Sequence, residues 1–324
     1  MKLDAIVGNP PYQINVGEKK DNYGMLIFNK FVDISIQTKP EYISMVYPSR
    51  WFTGGRGLDE FRNRMLNDDR IKYIHDYLDA KDLFPTADIA GGINYMLWAK
   101  SYHGLCNYGC TYMDETNFEK RKLNEFSTFI RRNAALDIIK KVSYAIENTI
   151  EGNISPQTPF GFVTTYRGSS SYFENAITLY SSGGISYVRR EDVKRNTQWI
   201  DSYKVVFSKA TCEHAGTPDK SGRYRVFSTM KILKPLEICT QSYLVGGTFT
   251  SYEKSNNYLS YLKTCFVRFL ILQLLSTQDI SAEKFRFVPL QDFSKPWTDE
   301  ELYKKYNLTA DEIQFIESMI KPMD

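Results

Sequence analysis

Apolar positions along this chain recur with two periods, and each change of period marks an element. Residues 1–8 (MKLDAIVG) form a short apolar run around Leu3, Ala5, Ile6 and Val7 and read as a strand. Met25 to Ile36 (MLIFNKFVDISI) is apolar at helical spacing and predicts an amphipathic helix. Glu41 to Tyr47 is a second apolar strand, closed by Pro48-Ser49-Arg50-Trp51-Phe52, and Leu58 to Leu66 returns to the helical period. Ile71 to Leu78 alternates as a strand does, and Gly92 to Ala99 predicts another. Strand, helix, strand, helix, strand, strand is the order of half an open, mostly parallel α/β sheet.

The later chain has a different texture. Ala134 to Ile146 predicts a connecting helix with Arg131 and Arg132 at its start. Beyond Glu151 to Pro159 (EGNISPQTP), short Ser/Thr/Tyr-rich strands are predicted at Phe160 to Tyr166 and Ile177 to Tyr187. Tyr203 to Phe207 and Arg223 to Phe227 follow with β-type alternation, and Tyr258 to Leu275 reads as one long, mostly buried helix. Thr298 with Glu301, and Thr309 with Glu312, have capping-box spacing and predict two short tail helices. These shifts divide the chain into 1–125, a helical connector at 126–158, a mixed α+β region at 159–290 and a tail at 291–324.

The first strand ends in Asn9-Pro10-Pro11-Tyr12. Two consecutive prolines remove two backbone donors and hold the chain extended, so the strand stops there in a rigid turn. The carboxyl end of a strand in an α/β sheet is where ligands bind. Asn9 brings an acceptor oxygen and two donors to that place, and Tyr12 a flat stacking face.

A strand closed by these four residues resembles the catalytic motif of gamma-class N6-adenine DNA methyltransferases of restriction–modification systems. The resemblance implies that the Asn9 side-chain oxygen and the carbonyl after it accept hydrogen bonds from the target amino group. Two such acceptors favour a more tetrahedral nitrogen, able to attack the methyl of S-adenosylmethionine in line. Tyr12 is then implied to stack on an adenine flipped from the duplex. Pro48 to Phe52 resembles the family's "P-S-R-F-L" strand end. Asp82-Leu83-Phe84-Pro85 resembles its "V-F-P" segment, which gives Phe84 the second stacking face. The resemblance covers about residues 3 to 100 and implies the second half of a Rossmann-like methyltransferase sheet. Residues 159–290 are similar in layout to the family's target-recognition domain, with Phe285-Arg286-Phe287-Val288-Pro289 after the long helix.

A complete enzyme of this kind binds its methyl donor on an earlier strand, a Phe-x-Gly-x-Gly-like loop and an acidic residue. Only eight residues precede Asn9, so that half is expected from elsewhere. A permuted order would need it later. Yet neither Gly54-Gly55-Arg56-Gly57, Gly183-Gly184 nor Gly246-Gly247 has the required spacing. The expected partners are therefore double-stranded DNA and an N-terminal donor-binding part, with nuclease or motor regions of a parent protein left open. The competing reading is a DNA-binding specificity module that keeps the turn without catalysis. N4-cytosine methylation uses the same turn more often with Ser or Asp in first place.

Charge sharpens the division. Residues 1–159 hold 20 Lys/Arg and 20 Asp/Glu, residues 160–290 hold 17 and 10, and residues 291–324 hold 4 and 8. The basic middle suits contact with a phosphate backbone, and Arg167, Arg189, Arg190, Lys194 and Arg195 are its candidate DNA-binding residues. The hydrophobic share of 42% excludes a disordered chain, and no apolar run is long enough to span a membrane. Five scattered cysteines suit a reducing cytoplasm. His103, Cys106, Cys110, Cys212 and His214 lack the spacing of known zinc ribbons, so no metal is expected.

Overall fold

The computed structural model describes residues 3–14, 24–55, 57–87, 89–212, 218–275 and 278–323. Two compact units divide the chain, Met1–Asn133 and Ala134–Asp324. The division falls inside the stretch expected to be a helical connector.

The first unit runs β1 (Ala5–Gly8), β2 (Gln13–Ile14), β3 (Met25–Leu26), α1 (Phe28–Gln37), β4 (Tyr42–Pro48), α2 (Asp59–Leu66), β5 (Ile71–Tyr77), β6 (Ile93–Ala99), β7 (Cys106–Tyr112) and β8 (Glu115–Arg121). Six of these strands form one sheet in the order β1-β4-β6-β5-β7-β8. The β1/β4 and β5/β7 pairs are parallel, and the β4/β6, β6/β5 and β7/β8 pairs are antiparallel. The sheet is thus mixed, where the sequence predicts mostly parallel pairing. Residues 78–92 explain the difference. Their described residues hold a single 3-10 turn at Ala80–Asp82 and no crossover helix, and β6 returns antiparallel and inserts between β4 and β5. β1, β4, β5 and β7 still point one way, and their carboxyl ends share one edge.

One face of this sheet is covered by α1 and α2. Phe28 and Val32 of α1 and Phe61 and Met65 of α2 join Tyr47, Trp51, Ile74, Met96 and Tyr108 in a single buried cluster. Rings order it, with Phe28 stacked on Tyr47 at 5.5 Å and Phe52 on Phe129 at 4.5 Å. The predicted helix from Met25 starts three residues late. Met25 and Leu26 instead pair antiparallel with Ile14 and Gln13 as a small ribbon.

In the second unit, α3 (Leu136–Ala145) precedes β9 (Ile177–Ser181), β10 (Gly184–Val188), β11 (Tyr203–Ser208), β12 (Met230–Leu233), β13 (Glu237–Cys239) and β14 (Tyr243–Phe249). These make two three-stranded sheets, β10-β9-β13 and β12-β11-β14. The strand predicted at Phe160 to Tyr166 is a series of turns, and Arg223 to Phe227 makes only isolated bridges. Gly161 and Val226 sit at φ +91° and +70°, outside extended geometry. The long predicted helix is two helices, α4 (Tyr252–Lys263) and α5 (Cys265–Leu272), parted at Thr264 where ψ is 149°. The tail helices α6 (Asp299–Lys305) and α7 (Ala310–Met319) start at capping boxes on Thr298 and Thr309, as their spacing predicts. Among the described residues no helix is long and apolar enough to cross a membrane.

Candidate active site

Asn9-Pro10-Pro11-Tyr12 lies directly after β1, at the edge shared by the carboxyl ends of β1, β4, β5 and β7. Pro10 is buried, Asn9 and Pro11 are exposed, and Tyr12 is half-buried against the core of its unit. The far end of the turn is tied down, because Ile27 N donates to Tyr12 O at 3.1 Å and the β2–β3 ribbon follows at once. The Asn9 side chain hydrogen-bonds the Tyr12 hydroxyl as donor. Burial raises the Tyr12 pKa, and that bond partly offsets the rise. With its amide hydrogen so engaged, Asn9 keeps its side-chain oxygen as an acceptor.

Phe84 belongs to the connection between β5 and β6 and is 36% exposed. Its amide donates to Ala80 O at 2.8 Å, and its carbonyl accepts from Ala87 N at 2.8 Å. The topology places this connection on the same edge as Asn9, three strand spacings along the sheet, or roughly 14 Å.

Between them lies a polar cluster that pattern reading misses. Asp76 of β5 is fully buried. Its carboxylate accepts from Ser49 Oγ at 2.5 Å, from Tyr108 Oη at 2.8 Å and from Arg131 through Nε at 2.6 Å and a terminal nitrogen at 2.8 Å. Asn94 Nδ2 donates to Ser49 Oγ and to Tyr47 O, both at 3.1 Å. Arg131 also donates to Gly91 O at 2.8 Å. Burial works against the Arg131 charge, but Asp76 outweighs it and its pKa is raised; burial and then Asp76 push the Tyr108 hydroxyl well up. The available signal was parity, since Asp76 falls on the same side of β5 as the buried Ile74.

In the second unit the basic cluster is interleaved with acid. Arg189 meets Glu191 at 3.3 Å, and Arg190 pairs with Asp201. Lys194 donates to Glu191 O at 2.8 Å and Arg195 to Thr158 Oγ1 at 2.7 Å. Arg167 donates to the carbonyls of Thr164 and Tyr166 at 2.8 and 2.9 Å. All five side chains are exposed, and exposed pairs of this kind add little to stability. Cys106 and Cys110 are buried in β7, His103 hydrogen-bonds Asp69 at 2.9 Å, and His214 lies outside the described residues. Among the described residues no group of three or more His, Cys, Asp or Glu could hold a metal ion.

Residues 1–84 match the family described as Eco57I restriction-modification methylase. A curated relative, an uncharacterized adenine-specific methylase of Mycoplasma pneumoniae, is 31% identical over 148 residues, which is 45% of this chain and 34% of that protein. The chain thus spans about a third of the length of that relative. Among solved structures, the type IIL restriction-modification enzyme MmeI in complex with DNA aligns at a TM-score of 0.42 and 9% identity. It covers 99% of this chain and 55% of that one. The type IIG restriction endonuclease BpuSI aligns at 0.38 and 10%, over 97% of this chain and 48% of that one.

Proposed function

We propose that this chain carries the target-base half and the DNA-recognition part of a site-specific N6-adenine DNA methyltransferase of the gamma class. The observation that carries the reading is an Asn-Pro-Pro-Tyr turn at the edge shared by the carboxyl ends of the parallel strands, inside the segment that matches a restriction-modification methylase family. Asn9 Oδ1 and the adjoining carbonyl accept the two hydrogens of the adenine amino group and draw its lone pair out of the ring. Tyr12 and Phe84 hold the flipped base between them. The basic second unit tracks the phosphates, with Arg167, Arg189, Arg190, Lys194 and Arg195 exchanging their surface partners for phosphate oxygens.

S-adenosylmethionine supplies the methyl group in such enzymes, and at Gly54 and Gly246 the chain's own side chains fill the space that a cradle for it would need. A side chain at Gly54 would meet Asp59 at 2.3 Å, and at Gly246 it would meet the Phe207 ring at 2.8 Å. We assign the donor to a separate part, and to the residues present here the acceptance, orientation and stacking of the target. That gap also supports a second reading, a DNA-binding specificity module without catalysis.

Asn9→Ala separates the two. In this chain joined to its donor-binding part, loss of one acceptor in a dry, preorganised site should slow single-turnover methyl transfer about a hundred- to thousandfold. Duplex affinity should stay unchanged, because contacts to the DNA backbone supply most of it. Transfer by Asn9→Ala at the wild-type rate would make the turn structural.

A further inference from the structure

The connection that carries Phe84 is held at its mouth by the buried charge pair. Gly91 O accepts from Arg131 and Gly92 O from Ser49 N at 3.0 Å, and both donors belong to residues bound to Asp76. The same hinge is packed to the limit. A side chain at Gly92, where φ is +80°, would meet Tyr77 O at 2.1 Å and the Arg131 guanidinium at 2.9 Å. Ser49 also opens the turn that follows β4, the strand beside β1. One buried carboxylate thus joins the turn after β4, the last strand before the Phe84 connection and the glycines at its end.

A pair sunk this deeply contributes little net stability, because desolvating two charges costs about as much as their attraction returns. What it supplies is geometry. The guanidinium spends two donors on Asp76 and a third on Gly91 O, so the angle between strand β5 and the returning loop is fixed by a planar fork. An apolar core would hold the same elements together without fixing that angle.

We propose that Asp76, acting through Arg131 and Ser49, is the positioning residue that aims the Phe84 connection at the target-base edge. The proposal rests on the function proposed above. Asp76 touches no substrate; it sets where the second stacking face stands.

Ser49→Ala and Arg131→Lys test it, since each keeps the volume or the charge of the cluster. Hydrogen exchange on the 324-residue chain should show the backbone amides of Ser49, Phe84, Ala87, Gly91 and Gly92 exchanging at least about tenfold faster, with the amides of β4 and β5 unchanged. Uniform acceleration across the first unit would reduce the cluster to a structural brace and overturn the proposal. Duplex binding supplies the second readout. Wild-type chain should prefer a duplex whose target adenine faces an abasic site over the matched duplex. Phe84→Ala should cut that preference by about tenfold, the value of one stacking face. Ser49→Ala and Arg131→Lys should cut it comparably while matched-duplex affinity holds. If Phe84→Ala loses the preference and the other two keep it, the positioning role is wrong and the functional reading stands. If Phe84→Ala keeps it, the functional reading falls, and the proposal with it.

Discussion

Lys204 sits fully buried in β11, with its ammonium donating to the carbonyls of Trp199 and Ile200 at 3.0 Å and of Lys234 at 3.2 Å. Burial lowers its pKa to about 8, against 10.5 when free. Between those values the unfolded chain holds the extra proton, so folding stability rises with pH there, by at most about 1.4 kcal/mol per unit. Buried thiols oppose it higher up. Burial pushes Cys239 to about 12, so above pH 9 the unfolded chain loses that proton first and stability falls. Urea unfolding at pH 8 and 9 should therefore show wild type gaining about 1 kcal/mol relative to Lys204→Met; parallel pH profiles would mean that Lys204 stays charged in the fold. At this scale the sequence is legible where a residue acts through its neighbours. The end of β1 before Asn9 could be read because two prolines stop the strand there. Asp76 and Arg131 are 55 positions apart, and nothing local announces that they meet.

Helix starts were readable because caps are local devices. Thr298 and Thr309 each accept from the amide three residues on, with the glutamate returning the bond, as the spacing required. The break between α4 and α5 uses the same chemistry and was missed. Thr264 lies inside the stretch Tyr258 to Leu275 that reads as one helix, yet its hydroxyl accepts from Val267 N at 3.2 Å and Asp299 caps the Cys265 and Phe266 amides at 2.9 and 2.8 Å. A cap supplied from 33 residues away leaves no periodic trace. Thr264→Ala should cost about 1 kcal/mol in urea unfolding, within the 0.5–2 range of cap losses. A variant that is as stable as wild type would assign the cap to Asp299 alone. The β7–β8 hairpin escaped prediction for a similar reason, since Met113 and Asp114 adopt φ +52° and +63° without the Asn-Gly signature of such turns.

Across the whole molecule, the chain's parts differ in how much chemistry they hold. By the reading proposed here, the first unit presents a target-base edge and lacks a methyl-donor cradle. Titration calorimetry should accordingly detect no binding of S-adenosylmethionine to the isolated chain at micromolar concentrations. A micromolar affinity would revive a permuted arrangement in which later residues hold the donor. One further consequence follows from the position of β1. It is the outermost strand of its sheet, and among the described residues no strand pairs with its other side. The outward N–H and C=O groups of Ala5–Gly8 form a template that any extended backbone can join, whatever its side chains. Val7, 78% exposed, adds an apolar contact to that template. Concentrated solutions of this chain should self-associate edge to edge, a colloidal hazard set by sheet order and not by the reaction. Val7→Lys should raise the concentration at which light scattering begins, and scattering unchanged by that substitution would place the contact elsewhere.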